Sequence, residues 1–227
     1  MNEQSQHPES GFTLIEALIV TSLIGVLAGV AVPNLLASRL AANEAAVIAT
    51  MRAISTAQFQ FQSSGELDSN FDAGYEFGTL GELGALEVLR GSTETLSRNL
   101  LSKSVANTDN TGRVTHHGYH FRLFLPAADG AGLAGISANA ASIDAEQAQR
   151  YWSCVAWPIE TGTTGNRAFF VNQQGQVLQA RDSGYTGSTS VPDAGVGLLG
   201  VAPTHIHSQA LATDTTGADG NHWVLVH

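Results

Sequence analysis

The most constraining feature of this sequence is an apolar stretch from Phe12 to Pro33 that contains a single ionisable side chain, Glu16. As an α-helix its roughly 22 residues would span about 33 Å, which matches the ~30 Å hydrocarbon core of a bilayer. A carboxylate inside such a helix costs about 2–3 kcal/mol or more and usually marks a functional site. The stretch therefore predicts a membrane-spanning helix in which Glu16 has a specific partner.

The start of this stretch is a recognisable motif, since residues 11–16 read Gly-Phe-Thr-Leu-Ile-Glu. The motif resembles the processing site of type IV pilins and of the pseudopilins of type II secretion. The resemblance implies that a prepilin peptidase cuts between Gly11 and Phe12, that Phe12 becomes N-methylated, and that Glu16 docks subunits into a filament. It also implies four partners: further copies of the chain, the peptidase, an inner-membrane assembly platform, and membrane lipid before assembly.

The position of the expected cut keeps the apolar helix on the mature chain. A secretory signal peptide is cut after its apolar segment, whereas the bond between Gly11 and Phe12 lies before it. The cut would create an amine at Phe12, and Glu16 of a neighbouring copy can compensate its charge. The alternative for Glu16 is a carboxylate near the lipid headgroups that has no partner.

Three residues favour flexibility in the same helix. Gly25 and Gly29 form a Gly-x-x-x-Gly pair that lets helices approach closely, and Pro33 should kink or interrupt the helix. The resemblance implies that residues 25–33 can unwind in a filament, and a simple kink is the alternative.

Residues 1–11 are predicted to be the leader that is removed. They contain no Lys or Arg, so the positive-inside rule does not orient the helix. The resemblance places the N-terminus in the cytoplasm and the precursor in the inner membrane as a single-pass protein. The mature subunit would then lie in an extracellular pilus or a periplasmic pseudopilus.

The helical pattern continues after Pro33. Residues 34–64 contain no further proline or glycine and form an amphipathic second half to the membrane-spanning half, residues 12–33. Apolar side chains recur every seven residues and predict a stripe that covers a globular domain. The stripe is Leu40, Val47, Ile54 and Phe61, with Leu36 and Met51 beside it.

Residues 65–227 are predicted to form the head, with an irregular loop over 65–117 and an antiparallel sheet over 118–227. Alternation predicts a half-buried strand at 119–125, and turn clusters separate further strands. The expected later strands are 151–158, 167–171, 176–180 and, at a sheet edge, 223–226; short helices are expected in 80–89, 94–102 and 145–150. Residues 118–180 also resemble the C-terminal sheet of a pilin-like group, which implies an α+β, pilin-like fold with a long helix packed on the sheet. No role is assigned to the tail, residues 181–227.

Composition and motifs argue against several kinds of chemistry. The net charge of −10 argues against nucleic-acid binding, and one cysteine, Cys154, excludes an internal disulfide. The sequence has no Gly-x-Ser-x-Gly turn and no phosphate-binding loop, so an enzyme is not expected.

No cofactor is expected, although two weak metal candidates remain. Strand alternation would place His116 and His120 on one face, where they would be the candidate ligands of a transition metal. A calcium site would have to use scattered tail aspartates without a fixed loop spacing. These are Asp182, Asp193, Asp214 and Asp219.

The sequence predicts a structural subunit of a type IV pilus-like filament. Two alternatives stay open: a pseudopilin of a type II secretion system, and a membrane-tethered binding or adhesion domain whose helix is only an anchor.

Overall fold

The computed structural model describes residues 11–226. The predicted leader, apart from Gly11, and the tail residue His227 lie outside the described residues. The chain divides into two compact units, residues 1–39 and residues 40–227.

The first helix, α1, runs from Leu14 to Ser64 over 51 residues and contains Pro33. Of the two effects predicted for Pro33, the interruption is therefore wrong, and the kink stays a prediction. Proline removes one backbone N–H and hence one hydrogen bond. Hydrogen-bonded turns continue on both sides of it, and adding a turn to an existing helix costs far less than starting a new one.

The predicted apolar stripe is confirmed within the second unit. Val47, Met51, Ile54 and Phe61 are fully buried. Leu40 is only half-buried, and Leu36, which lies in the first unit, is exposed. The stripe therefore begins near residue 47, where sheet residues cover the helix.

The remaining elements are short. The helices are α2 (Leu80–Leu83), α3 (Lys103–Ala106), a 3₁₀ turn (Ser137–Ser142) and α4 (Ala145–Ala148). The strands are β1 (Arg113–His116), β2 (Tyr119–Pro126), β3 (Gly132–Ala134), β4 (Ser153–Pro158), β5 (Arg167–Asn172), β6 (Leu178–Arg181), β7 (Thr215–Thr216) and β8 (His222–Leu225). Residues 94–102, where a short turn of helix was expected, contain no helix, and α3 begins directly after them.

The strands form one antiparallel sheet in the order β1-β2-β4-β5-β6-β8-β7, and β3 pairs with β2. The sheet begins at Arg113 rather than at residue 118, because a two-residue turn at His117 and Gly118 joins β1 to β2. Both turn residues have positive φ, 49° and 75°, as a tight hairpin requires. The two-residue β7 pairs outside β8, so the last long strand is not at the edge.

Each face of the sheet has its own covering layer. Alternate residues of the central strands pack against α1, among them Tyr119, Phe121 and Phe169. The opposite face packs against the tail in a second apolar cluster, which includes Phe170, Trp157 and Trp223. Strand β2 is consequently buried on both faces, and the prediction of a half-buried strand is wrong.

The tail is a structural layer without long elements. Its apolar side chains Val196, Leu198 and Ile206 are buried against the sheet. Ser153 of β4 donates a hydrogen bond of 2.6 Å to the Ala194 carbonyl, and Trp157 donates one of 2.8 Å to the Gly187 carbonyl. These contacts hold loops close to the sheet.

Asp219 anchors the end of the tail. Its carboxylate accepts hydrogen bonds from the Tyr185 hydroxyl at 2.7 Å, the Trp223 indole N–H at 3.0 Å and the Asn221 amide at 2.7 Å. Burial, followed by the Asp219 carboxylate, raises the pKa of Tyr185 and keeps its proton on the donating oxygen.

The region predicted as an irregular loop contains a buried ionic cluster. The Arg90 guanidinium lies 3.1 Å from Glu82 and 3.4 Å from Glu76, and all three side chains are nearly inaccessible. Arg90 also donates to the Phe77 carbonyl. Because two buried carboxylates share one guanidinium, this segment has a fixed conformation despite its few helical turns.

Candidate assembly site on the N-terminal helix

Thr13 and Glu16 cap the first turn of α1. The Glu16 Oε2 atom accepts hydrogen bonds from the Thr13 N–H at 3.0 Å and from the Thr13 hydroxyl at 2.7 Å. In return, the Thr13 Oγ1 atom accepts the Glu16 N–H at 3.3 Å. This reciprocal arrangement is a capping box, which satisfies backbone donors at a helix start. Sequence reasoning missed it, although Thr-x-x-Glu before an apolar run signals it.

Capping uses only one oxygen of the Glu16 carboxylate. Within residues 11–226, the other oxygen, Oε1, accepts no hydrogen bond. A carboxylate can accept from several donors at once. Glu16 can therefore cap its own helix through Oε2 while Oε1 forms an ion pair with a cation from outside the chain.

The surface around Glu16 is apolar and exposed. The large aliphatic side chains from Leu14 to Val32 are 46–83% exposed, and Phe12 is 79% exposed. By length and composition, α1 is the one described helix that could cross a membrane, with a best-window mean hydropathy of 2.3. Such a surface requires a covering of lipid or protein.

Gly25 and Gly29 lie on this exposed helix. A Cβ atom added at either position would meet no atom within 4 Å. Neither glycine is therefore needed for packing against another part of residues 11–226. Their predicted role in helix flexibility, like that of Pro33, stays a prediction.

His116 and His120 do not share a face, so the metal interpretation based on alternation is wrong. The hairpin turn places them on different strands, where His116 is opposite Tyr119 and Thr115 is opposite His120. The His120 ring accepts or donates a 2.9 Å hydrogen bond with Thr115 and lies 5.4 Å from the Trp157 ring. Among the described residues no group of three or more His, Cys, Asp or Glu side chains is arranged to hold a metal ion.

Asp219 and Cys154 both have structural roles. Asp219 of the proposed calcium set is saturated by protein donors. Cys154 is fully buried, and burial raises the pKa of its thiol, so its thiolate is scarce.

The apolar first half of α1 with its single carboxylate, Glu16, and a head in which the second half packs on an antiparallel sheet define a pilin-like protein. Residues 7–32 match the prokaryotic N-terminal methylation motif. Residues 28–193 match a family described as "Protein of unknown function (DUF2950)", and the chain belongs to that family.

Two curated relatives are pilins. The chain is 45% identical over 60 residues to the type IV wide pilus major component PilA4 of Thermus thermophilus. The aligned segment is 26% of this chain and 43% of the relative. The chain is 38% identical over 61 residues to the type IV major pilin protein PilA of Myxococcus xanthus. The aligned segment is 27% of this chain and 28% of the relative. The match thus spans less than half the length of either relative. No solved structure matches the chain.

Proposed function

We propose that this protein is a structural subunit of a type IV pilus-like filament. It is made as a membrane precursor, cut between Gly11 and Phe12, N-methylated on Phe12 and polymerised through α1. The pilin relatives and the N-terminal methylation motif support this proposal. The observation that carries it is the lone carboxylate of Glu16 at the start of an exposed apolar helix.

Burial keeps the apolar surface of α1 out of water before and after assembly. Each large aliphatic side chain of α1 gains about 1.5–3 kcal/mol when it leaves water. Lipid covers this surface before assembly, and a bundle of helices covers it in the filament. The helix can move between the two because both surroundings are apolar.

Charge pairing sets the order of subunits. An unpaired ion in an apolar bundle costs several kcal/mol, and this cost falls when an opposite charge is adjacent. The Phe12 amine of an incoming copy would meet the Oε1 atom of Glu16 on an earlier copy. A copy inserted out of register would leave both charges unpaired.

Processing is tested by mass spectrometry of the N-terminus, with protein recovered separately from membranes and from sheared surface material. The proposal expects a chain that begins at methylated Phe12 and is abundant in the sheared fraction. Processed protein confined to the envelope would favour a secretion pseudopilin. An intact leader would favour the anchor interpretation.

The docking role is tested with two substitutions at Glu16. Glutamine keeps a capping side chain but removes the charge, whereas alanine removes both. Processing should persist in Glu16→Gln and Glu16→Ala, and filaments should be absent from both. Thr13→Ala is the matched control, because it removes the cap and keeps the charge. Normal filaments from Glu16→Gln alone would contradict the charge-pairing role.

A further inference from the structure

The head presents an exposed aromatic ring on the loop that follows α1. Phe71 is 88% exposed and has a φ of 59°, which side chains of its size rarely adopt. Three carboxylates belong to the same loop, residues 66–75. They are Glu66, Asp68 and Asp72.

Hydrogen bonds fix the conformation of this loop. The Asp68 carboxylate accepts the backbone N–H groups of Asp72 and Ala73 at 3.1 and 3.0 Å. Gln149 donates to Asp72 at 2.9 Å, and this bond is the main cause that lowers the Asp72 pKa. An aromatic side chain on a fixed loop loses little entropy on binding, so it is suited to be an anchor in an interface.

An open groove lies on the sheet face that α1 covers only in part. Its first cavity, of about 310 Å³, is lined by Arg167, Gln179, Arg181, His222 and Val224. Arg167 is opposite Arg181 in the register of β5 and β6, so the two side chains share a face. No carboxylate lines this cavity.

The groove continues into a second cavity of about 390 Å³, which shares Arg167 and Arg181 with the first. Glu44 of α1 and Asp182 also line it. The groove therefore runs from the side of α1 toward β8.

One cation of the groove is left without a partner. Arg167 lies 3.1 Å from Glu44, and His222 lies 3.3 Å from Asp214. Arg181 is exposed and forms no ion pair with any residue in 11–226. A carboxylate from outside the chain would complete its pairing, and an aromatic ring could stack on its guanidinium.

The loop and the groove are at opposite ends of the head. The loop begins just after Ser64, the end of α1, whereas Glu44 of the groove is 20 residues earlier on the same helix. At 1.5 Å per residue the separation along the helix axis is about 30 Å. Two different surfaces at opposite ends can pair between successive copies without closing a ring, and such an interface extends into an open filament.

We infer that the groove of one copy binds residues 66–75 of a second copy. Phe71 lies against Val224 and the Arg181 guanidinium, and the Asp68 and Asp72 carboxylates face Arg181. The inference rests on the proposed filament function and adds a contact between heads to the contact between helices.

Cross-linking in full-length filaments tests the contact. Asn70→Cys together with His222→Cys places one thiol beside each surface and leaves Phe71 and Arg181 in place. The native Cys154 is buried and does not compete. A short bismaleimide should convert the double variant into a ladder of covalent multimers. The control pair is Asn70→Cys with Lys103→Cys, because Lys103 is exposed on α3 outside the groove.

The outcomes separate the inference from the proposed function. A ladder for the His222 pair alone supports the contact between heads. Filaments without a ladder, or equal ladders from both pairs, overturn the contact and leave the proposed function intact. A wild-type chain that forms no filament overturns both.

A second measurement uses assembly itself. Arg181→Glu should reduce the amount of sheared filament protein about tenfold. The new carboxylate would face the Asp68 and Asp72 carboxylates of the second copy and repel them. Phe71→Asn should have a similar effect, since Asn accepts positive φ but lacks the ring. Arg98→Glu makes the same charge change at an exposed site outside the groove and should assemble normally. Normal assembly of both Arg181→Glu and Phe71→Asn, with unchanged Tm of each head, would refute the contact.

Discussion

His120 is a buried titratable side chain on the sheet face that the tail covers. Burial lowers its pKa most, and the positive charge of Arg113 lowers it further while Asp109 opposes the shift. Arg122 adds a smaller effect in the same direction as Arg113. The folded chain therefore disfavours the protonated ring more strongly than the unfolded chain does.

Acid should destabilise the head through His120. Because the folded pKa lies below the unfolded value of about 6.5, the unfolded chain binds the proton first. The neutral His120 ring therefore makes its full contribution to the stability of the head above the unfolded pKa. This contribution is lost as the pH falls from about 7 toward the folded pKa. Urea unfolding at several pH values should show a shallower decline for His120→Gln than for the wild type.

Two comparisons sharpen this measurement. His207→Gln makes the same substitution at an exposed tail histidine and is the control for the loss of an imidazole. His116 has a pKa lowered by burial and then by His117, so part of the decline should persist in His120→Gln. An identical slope in the wild type and His120→Gln would contradict the assigned cause.

At the scale of elements, α1 has two kinds of surface on one continuous helix. From Val47 onward one stripe of α1 is buried by the sheet, whereas Gly25 and Gly29 have no neighbours among residues 11–226 apart from their own helix. Changes in that segment can therefore affect assembly without affecting the folding of the head.

The flexibility prediction is tested by Gly25→Ala, Gly29→Ala and Pro33→Ala in combination. Alanine favours a helix by about 1 kcal/mol over glycine and about 3 kcal/mol over proline, so the segment should unwind less readily. Filament yield should fall, and the Tm of the head should be unchanged.

The matched control for this variant is Ala28→Gly, which adds flexibility in the same segment and should not reduce the filament yield. Wild-type filament yield from the triple variant would show that residues 25–33 need not unwind.

At the scale of the whole head, both faces of one sheet are covered. Leu123 is buried on the α1 side and Leu198 on the tail side, each 1% exposed. Because both layers share the same strands, we expect them to unfold together. The tail would then be part of the cooperative fold rather than a separate layer.

Leu123→Ala and Leu198→Ala should each lower the free energy of unfolding by about 2–5 kcal/mol. Tryptophan fluorescence and far-UV circular dichroism should report the same midpoint in both variants, as a single cooperative transition requires. Leu86→Ala, at a 39% exposed position, is the control and should change stability by about 0.5 kcal/mol or less. Separate midpoints in Leu198→Ala would show that the tail unfolds independently.

Local patterns made much of this architecture predictable. The strands at 153–158 and 167–172 and the stripe of α1 follow from periodicity and turn residues over short distances. The face assignment of His116 and His120 failed because one two-residue turn reverses the chain between them. Alternation holds only within a single strand.

The sequence by itself determined the N-terminal helix and the position of its carboxylate, because a run of apolar residues and a six-residue motif depend on neighbours along the chain. Only the tertiary structure decided the role of the tail. Its buried residues Val196, Leu198 and Ile206 have no regular spacing, and Gly197 is required because a Cβ there would lie 2.6 Å from the Phe170 ring. Such a layer is defined by the sheet that it covers, and that surface exists only after distant strands have paired.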